Sequence, residues 1–383
     1  MKFHGKVCGI GLLCLISLAT VVQAFGATPA WTLLSTSGLS TNLFRAGGPT
    51  VYDPVSNELI IFGGASECCG TVNDVWILSH ANGLGGTGAW SNLIANGAAG
   101  SPPARYNFSG VYDSANNRMI IFGGCEGGCL PVANDVWVLI GANGQSGTPT
   151  WVQLSPSGGP PGARQSHQAV YDPNTNSMII WGGQNGGGSC GGYSDVWVLS
   201  HANGLGGTPA WTQLNPTGGP PLGDYSPSAT YDPTHNVLMT FGGIEAAGSC
   251  NNNETNAVWT LSNANGTGGQ PLWTKLTTNT PPIARSASAA VYNTSSNIMT
   301  IFAGTTRATN PYLSDLWVLT FANGIGGTPT WTKQSPTGTF KPVARYAWNT
   351  QAIDVANDRM MVTLGLFDEG PLWSTWVLTN EDQ

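Results

Sequence analysis

The chain has 383 residues, only 9% of them charged, with thirteen Lys and Arg set against twenty Asp and Glu. A formal charge of −7 without clustered cations excludes a protein that reads nucleic acid through its phosphates. Fifty-three Gly and 25 Pro could signal disorder, but 41% of residues are hydrophobic and the glycines recur at fixed places, which favours a packed β protein.

The first residues read as a targeting segment. Lys2 and Lys6 give a basic start, residues 7–22 are apolar, and Val22-Gln23-Ala24 is a small-residue cleavage signal, so residues 1–24 are assigned as a signal peptide. The apolar run is short for a membrane span and has no charged stop-transfer flank. Cys14 follows Leu12-Leu13 and lacks the small residue expected before a lipidated cysteine. The chain is therefore expected to be secreted, periplasmic or at the cell surface. Without Lys2 and Lys6, eleven basic residues face twenty acidic ones, a balance of −9.

Residues 25–383 carry one pattern six times. Twelve of the fifteen tryptophans fall on two ladders with a step near sixty residues. One is Trp76, Trp137, Trp197, Trp259, Trp317 and Trp376, and the other is Trp31, Trp90, Trp151, Trp211, Trp273 and Trp331. A period of this length denotes one supersecondary unit, repeated. Each unit opens on a segment such as Pro160-Pro161-Gly162-Ala163-Arg164, which leads into strand A (Arg164 to Tyr171) and a turn, Asp172-Pro173-Asn174-Thr175-Asn176. Strand B is apolar and ends on paired glycines, as at Gly63-Gly64, Gly123-Gly124, Gly182-Gly183 and Gly242-Gly243. It weakens to Ala303-Gly304 and then to Leu364-Gly365-Leu366. Strand C is typified by Asn134-Asp135-Val136-Trp137, and a hairpin containing Ala-Asn-Gly returns as strand D, Trp211-Thr212-Gln213-Leu214. Four short antiparallel strands per unit without helical periodicity describe a propeller blade. Trp376-Val377-Leu378 lacks a following strand D, whereas Thr28-Pro29-Ala30-Trp31-Thr32 repeats the pattern of Thr208-Pro209-Ala210-Trp211-Thr212. The N-terminal strand is thus expected to complete the last blade and close the ring.

Paired glycines ending strand B, an aromatic in strand C and a Trp in strand D resemble the kelch repeat. The resemblance covers residues 27–379 and implies an all-β, six-bladed β-propeller. Its Tyr-Asp-Pro and Asp-Val-Trp form is similar to exported bacterial kelch proteins. Kelch propellers include binding modules, scaffolds, copper oxidases and sugar epimerases, so the resemblance specifies fold far more tightly than function.

This strand order places the B–C loops and the D–A segments on one face, and the A–B turns and C–D hairpins on the other. The near-identical hairpins, His80-Ala81-Asn82-Gly83 and His201-Ala202-Asn203-Gly204, read as structural turns. The B–C loops vary and carry Glu67, Glu126, Tyr193, Glu245, Glu254, Arg307, Tyr312, Asp368 and Glu369, so this is the expected ligand face. Arg45, Arg105, Arg164, Arg285 and Arg345 recur at the start of strand A, near the mouth of the axial channel, and could form an anion-binding crown. Against that, the fourth unit has Asp224 in place of Arg and Ala257 where other units have Asp74, Asp135, Asp195 or Asp315, and this joint loss points to an Arg–carboxylate bridge within each blade. The sixth unit keeps Arg345 but has Ser374, which leaves Arg345 available to a ligand.

The expected function is recognition of a carbohydrate or protein ligand, by a monomer with no cofactor, metal, nucleic acid or membrane span. The alternative is a carbohydrate-active enzyme of epimerase or lyase type. Glu126, Glu245 and Glu67 would be its acid and base, and Arg345 or Arg307 would hold an acidic sugar, as the resemblance to six-bladed sialic acid epimerases allows. The copper chemistry of the galactose oxidase branch needs two histidines on one face, whereas His80, His201, His235 and His167 are dispersed. Cys68, Cys69, Cys125, Cys129, Cys190 and Cys250 lie in the B–C loops, and an even count in an exported chain favours disulfides over a zinc site. Cys125–Cys129 and Cys190–Cys250 are the favoured pairs, which leaves Cys68–Cys69.

Overall fold

The structure is a computed structural model that describes residues 27–66, 70–127, 130–186, 192–219, 221, 224–245, 253–306, 311–367, 370–372 and 374–382. It is an all-β propeller of six blades. Strand A of blades 1 to 6 is Thr50–Asp53, Ser109–Asp113, Gln168–Asp172, Ser228–Asp232, Ala289–Asn293 and Gln351–Asp354. These innermost strands touch one another in sequence, and the sixth touches the first. Strands B, C and D follow outward in antiparallel register, as in blade 3 (Ser177–Trp181, Val196–Ser200 and Ala210–Leu214).

The expected closure is present. Ala30–Leu33 pairs antiparallel with Thr375–Thr379 and puts Trp31 opposite Leu378. That register repeats Trp211 opposite Leu199 and Trp331 opposite Leu319. The N-terminal strand therefore occupies the outermost position of blade 6 just as strand D does elsewhere.

The two tryptophan ladders have different jobs. The strand D indoles are buried and pack on the aromatic that ends strand B of the preceding blade. Trp151 meets Phe62, Trp211 meets Phe122, Trp273 meets Trp181, Trp331 meets Phe241 and Trp31 meets Phe302, with ring centroids 4.7–5.6 Å apart. Such pairs add about 0.5–1.5 kcal/mol beyond the area they bury, so the strand D ladder glues neighbouring blades. The strand C indoles instead turn their N–H groups to the residue two positions earlier. Trp76, Trp137, Trp197 and Trp317 donate to Asp74, Asp135, Asp195 and Asp315 at 2.7–2.8 Å.

The segment leaving each blade also covers an outer sheet edge. Residue 157 pairs in parallel with residue 210, residue 217 with residue 272, and residue 337 with residue 30. Gly158 and Gly218 adopt left-handed φ of 84° and 89°, and a Cβ there would fall 2.2 Å from the carbonyl oxygen of Trp211 or Trp273. Only glycine allows that approach, and the contact shields an edge that would otherwise be open to pairing.

Candidate functional site

On the face opposite the B–C loops, each C–D hairpin asparagine reaches back to the turn of the preceding blade. Asn143 donates to Asp53, Asn203 to Asp113, Asn265 to Asp172, Asn323 to Asp232 and Asn82 to Asp354, all at 2.6–2.7 Å. Carboxylate and amide are buried together, so these are charge-assisted bolts between blades. The hairpins are structural, as expected, but for a stronger reason than turn geometry.

The B–C face is built on the arginines. Arg45, Arg105, Arg164 and Arg285 are buried, and each donates two bonds to the Asp of strand C in its own blade, at 2.6–3.1 Å. Each also donates to the carbonyl that precedes or begins the glycine turn, for example Arg105 to Gly123 and Arg285 to Ala303. The expected bridge within the blade is therefore present in four blades, and these guanidinium groups are committed to the frame. Left-handed backbone at the turn lets the next blade's arginine carbonyl come close, since a Cβ on Gly242 would lie 2.5 Å from Arg285 O. Ala303 and Leu364 hold the same conformation at φ of 64° and 60° in the blades that lost this glycine.

Around the axis, one backbone bond passes from each blade to the next. Asn107 donates to Gly47, Ser166 to Asn107, Ser226 to Ser166, Ala287 to Ser226 and Ala347 to Ala287, at 2.6–3.0 Å. Blade 6 then interposes Trp348, which is fully buried, before Thr50 N closes the circle on Asn349 O at 2.9 Å.

The residue after each arginine position marks this mouth. Ala46, Tyr106, Gln165, Tyr225, Ser286 and Tyr346 occupy one register, opposite Ala65, Cys125, Gln184, Ile244, Thr305 and Leu366. Tyrosine falls in alternate blades. Tyr106 lines a cleft of about 560 Å³ with Ala65, Thr71 and Gly127. Tyr346 meets Ser226, two blades away, and burial pushes its hydroxyl up to about 12. This ring of variable residues was not singled out from sequence. Its signal lay in the one position beside the repeated arginine that does not repeat.

The expected ligand residues have varied settings. Glu126 pairs in register with Arg105, and its carboxylate lies 3.3 Å from Arg105 Nη2. The Tyr193 ring stacks on the Arg164 guanidinium, 4.1 Å from the ring centroid. Glu245 sits opposite Asp224 and Asn253, and Tyr312 bridges to Thr305. Arg345 is buried at the base of blade 6. Glu67, Arg307 and Asp368 lie outside the described residues, as do Cys68, Cys69, Cys129, Cys190 and Cys250. Cys125 is buried, with its sulfur 3.0 Å from Gln165 Oε1.

The histidines stay apart. His167 is fully buried against Ser109 at 2.8 Å, and burial pushes its pKa down, which keeps it neutral. His235 binds Asp232 in a turn, and the His80 and His201 rings lie against Gly86 and Gly207 in hairpins. Among the described residues, no group of three or more His, Cys, Asp or Glu is arranged to hold a metal, and no helix is long and apolar enough to cross a membrane.

Among solved structures, the chain resembles one described as the structure of YjhT, with a TM-score of 0.60 and 14% identity, covering 86% of this chain and 93% of that one. It also resembles a copper-bound fungal alcohol oxidase of the AA5 family at a TM-score of 0.51 and 16% identity, covering 87% and 62%. At these identities the likeness concerns the fold alone. Over 136 residues the chain is 33% identical to dynein regulatory complex subunit 7 of Chlamydomonas reinhardtii, a match that spans 35% of this chain and 10% of that protein. The family model described as the KLHDC2/KLHL20/DRC7 Kelch-repeats domain matches residues 21–204 and 144–365. With six blades in kelch order and a family match from residue 21 to residue 365, the chain belongs to that Kelch-repeat family.

Proposed function

We propose that the protein is an exported recognition module that takes a segment of another protein on its B–C loop face. The observation that carries this reading is the contrast at the axial mouth. The arginine frame recurs in five blades, while the adjoining register runs Ala46, Tyr106, Gln165, Tyr225, Ser286, Tyr346. A register that changes from blade to blade beside a repeated buried frame suits selective contact better than it suits stability. The matched relative is named as a subunit of a complex, which fits a protein partner better than a small substrate. A carbohydrate is the competing ligand on the same face, since tyrosine rings suit sugar faces as well as peptide side chains.

Panning a random peptide library and a glycan array against the full chain, with Tyr106→Ala/Gln165→Ala as the counter-screen, tests the reading. Peptides that bind the parent and lose at least tenfold on the variant support it. Glycans alone showing that behaviour would replace protein with carbohydrate, and ligands indifferent to both substitutions would remove the face from consideration. Export is tested by the mass of the protein recovered from its own host, which should correspond to a chain starting at Phe25.

A further inference from the structure

The six blades provide their own controls, and one position fails to match. In blade 5, Arg285 donates from Nε to Ile283 O at 3.1 Å, from Nη1 to Ala303 O at 3.0 Å, and from Nη1 and Nη2 to the two oxygens of Asp315 at 2.6 and 2.9 Å. Trp317 Nε1 donates to the same carboxylate at 2.8 Å. In blade 6 the frame is identical: Arg345 donates from Nε to Val343 O and from Nη1 to Leu364 O, both at 3.1 Å. The carboxylate is replaced by Ser374, whose hydroxyl accepts from Trp376 Nε1 at 2.9 Å and lies 3.5 Å from Arg345 Nη2.

Arg345 is thus a fully buried cation without a carboxylate partner among the described residues. A buried charge in that condition is costly, and blade 4, which has Ala257 in place of the aspartate, also lacks the arginine. Desolvation already pushes the Arg345 guanidinium down to about 10, so the group feels its isolation. The space is also reachable. The equivalent Asp135, Asp195 and Asp315 side chains are 17–22% exposed, and Ser374 is half-buried at the same position.

We propose that blade 6 carries an anion-binding site in which a formate-sized carboxylate or a halide takes the place of the missing aspartate, held by Arg345, Trp376 and Ser374. Among the described residues, Arg345, Trp376 and Ser374 can each donate a hydrogen bond into the space, which favours negative charge, and the difference in size between serine and aspartate leaves room for about one carboxylate. The carboxylate is supplied either by a free ion or by a larger ligand at the loop face. The proposal does not depend on whether that face takes a protein.

Thermal unfolding of the full chain and of Ser374→Asp, at constant ionic strength in methanesulfonate, formate, bromide or benzoate, tests it. The parent should gain about 2 °C in formate or bromide at tenfold excess over the dissociation constant. Ser374→Asp should melt higher without added anion and show none of that gain. A gain with formate but not benzoate assigns a free ion, and a gain with both assigns a carboxylate borne by a larger molecule. Equal gains in parent and variant, or a variant no more stable than the parent, overturn the site. Bromide-soaked crystals give an independent check: an anomalous peak within about 3.5 Å of Arg345 Nη2 and Trp376 Nε1 is expected, and an empty position refutes the proposal.

Discussion

At the scale of single residues, the Arg–Asp pairs show how a nearly charge-free protein uses its few charges. Burial by itself would push the Asp135, Asp195 and Asp315 carboxyls up. Bonds from the arginine and from the indole N–H more than offset it, and all three end below the ordinary carboxylate range. Their folded-state values are depressed, so the stability they add is present above about pH 4 and is lost as the pH falls below that. Asp195→Ala should leave Arg164 stranded and cost about 2–4 kcal/mol, the lower part of the range reflecting the partial exposure of Asp195. Arg164→Met/Asp195→Ala should cost clearly less than the single change, because it copies the joint loss seen at Asp224 and Ala257. Urea unfolding of the three proteins measures this coupling. A single-mutant cost below about 0.5 kcal/mol would show that the pair is not a strut.

At the scale of the element, legibility followed repetition. The strands, their order and the closing strand could be read because alternation and tryptophans recur six times and paired glycines four times. The Arg–Asp bridge could be read because one blade lost both partners. The hairpin bolts were only half legible. Asn-Gly reads as a turn needing positive φ, and Gly83 and Gly204 do take φ of 77° and 76°, but Asn82 and Asn203 spend their amides on the neighbouring blade. The missed signal was an exchange. Blade 5 has Asn293 where other blades have Asp, and Asp382 stands where other hairpins have Asn. The B–C loops resisted reading because no blade repeats another there, and a loop that does not repeat offers no internal control. The mouth tyrosines escaped for the same reason, since each is a departure from the pattern rather than an instance of it.

At the scale of the whole molecule, the exchange marks the junction of blades 5 and 6 as different in kind. Asn293 donates to Glu381 at 3.2 Å and to Asp382 at 3.4 Å, against 2.6–2.7 Å at the other five junctions. Glu381 is fully buried where other hairpins have a buried alanine such as Ala81 or Ala322, and its Oε2 has no hydrogen-bond partner. Burial, with Asp358 and Asp382 adding to it, pushes Glu381 up to about 7, and burial with the Asp382 charge pushes Asp358 up to about 6. From blade 5 this cluster is faced by the neutral Asn293 and Thr300, while the neighbouring Arg359 side chain turns away to Asn82 O. Both pKa values are raised on folding, so the folded ring holds protons that the unfolded chain releases above about pH 4–5. The cluster's contribution to stability should therefore be greatest below that range and fall as the pH rises toward about 7, by on the order of 2–3 kcal/mol, or about 3–4 °C in melting temperature between pH 5 and pH 8. This is opposite in sign to the effect of Asp135, Asp195 and Asp315, which act only at lower pH. Asn293→Asp/Asp358→Asn/Glu381→Ala/Asp382→Asn rebuilds at this seam the residues of the other junctions, and its melting temperature should be nearly flat between pH 5 and pH 8. If the rebuilt protein kept the parent's slope, the acidic seam would not be its source. If it matched the parent at pH 5 and exceeded it at pH 8, the ring would be shown to close least tightly where its carboxylates are forced to ionise together.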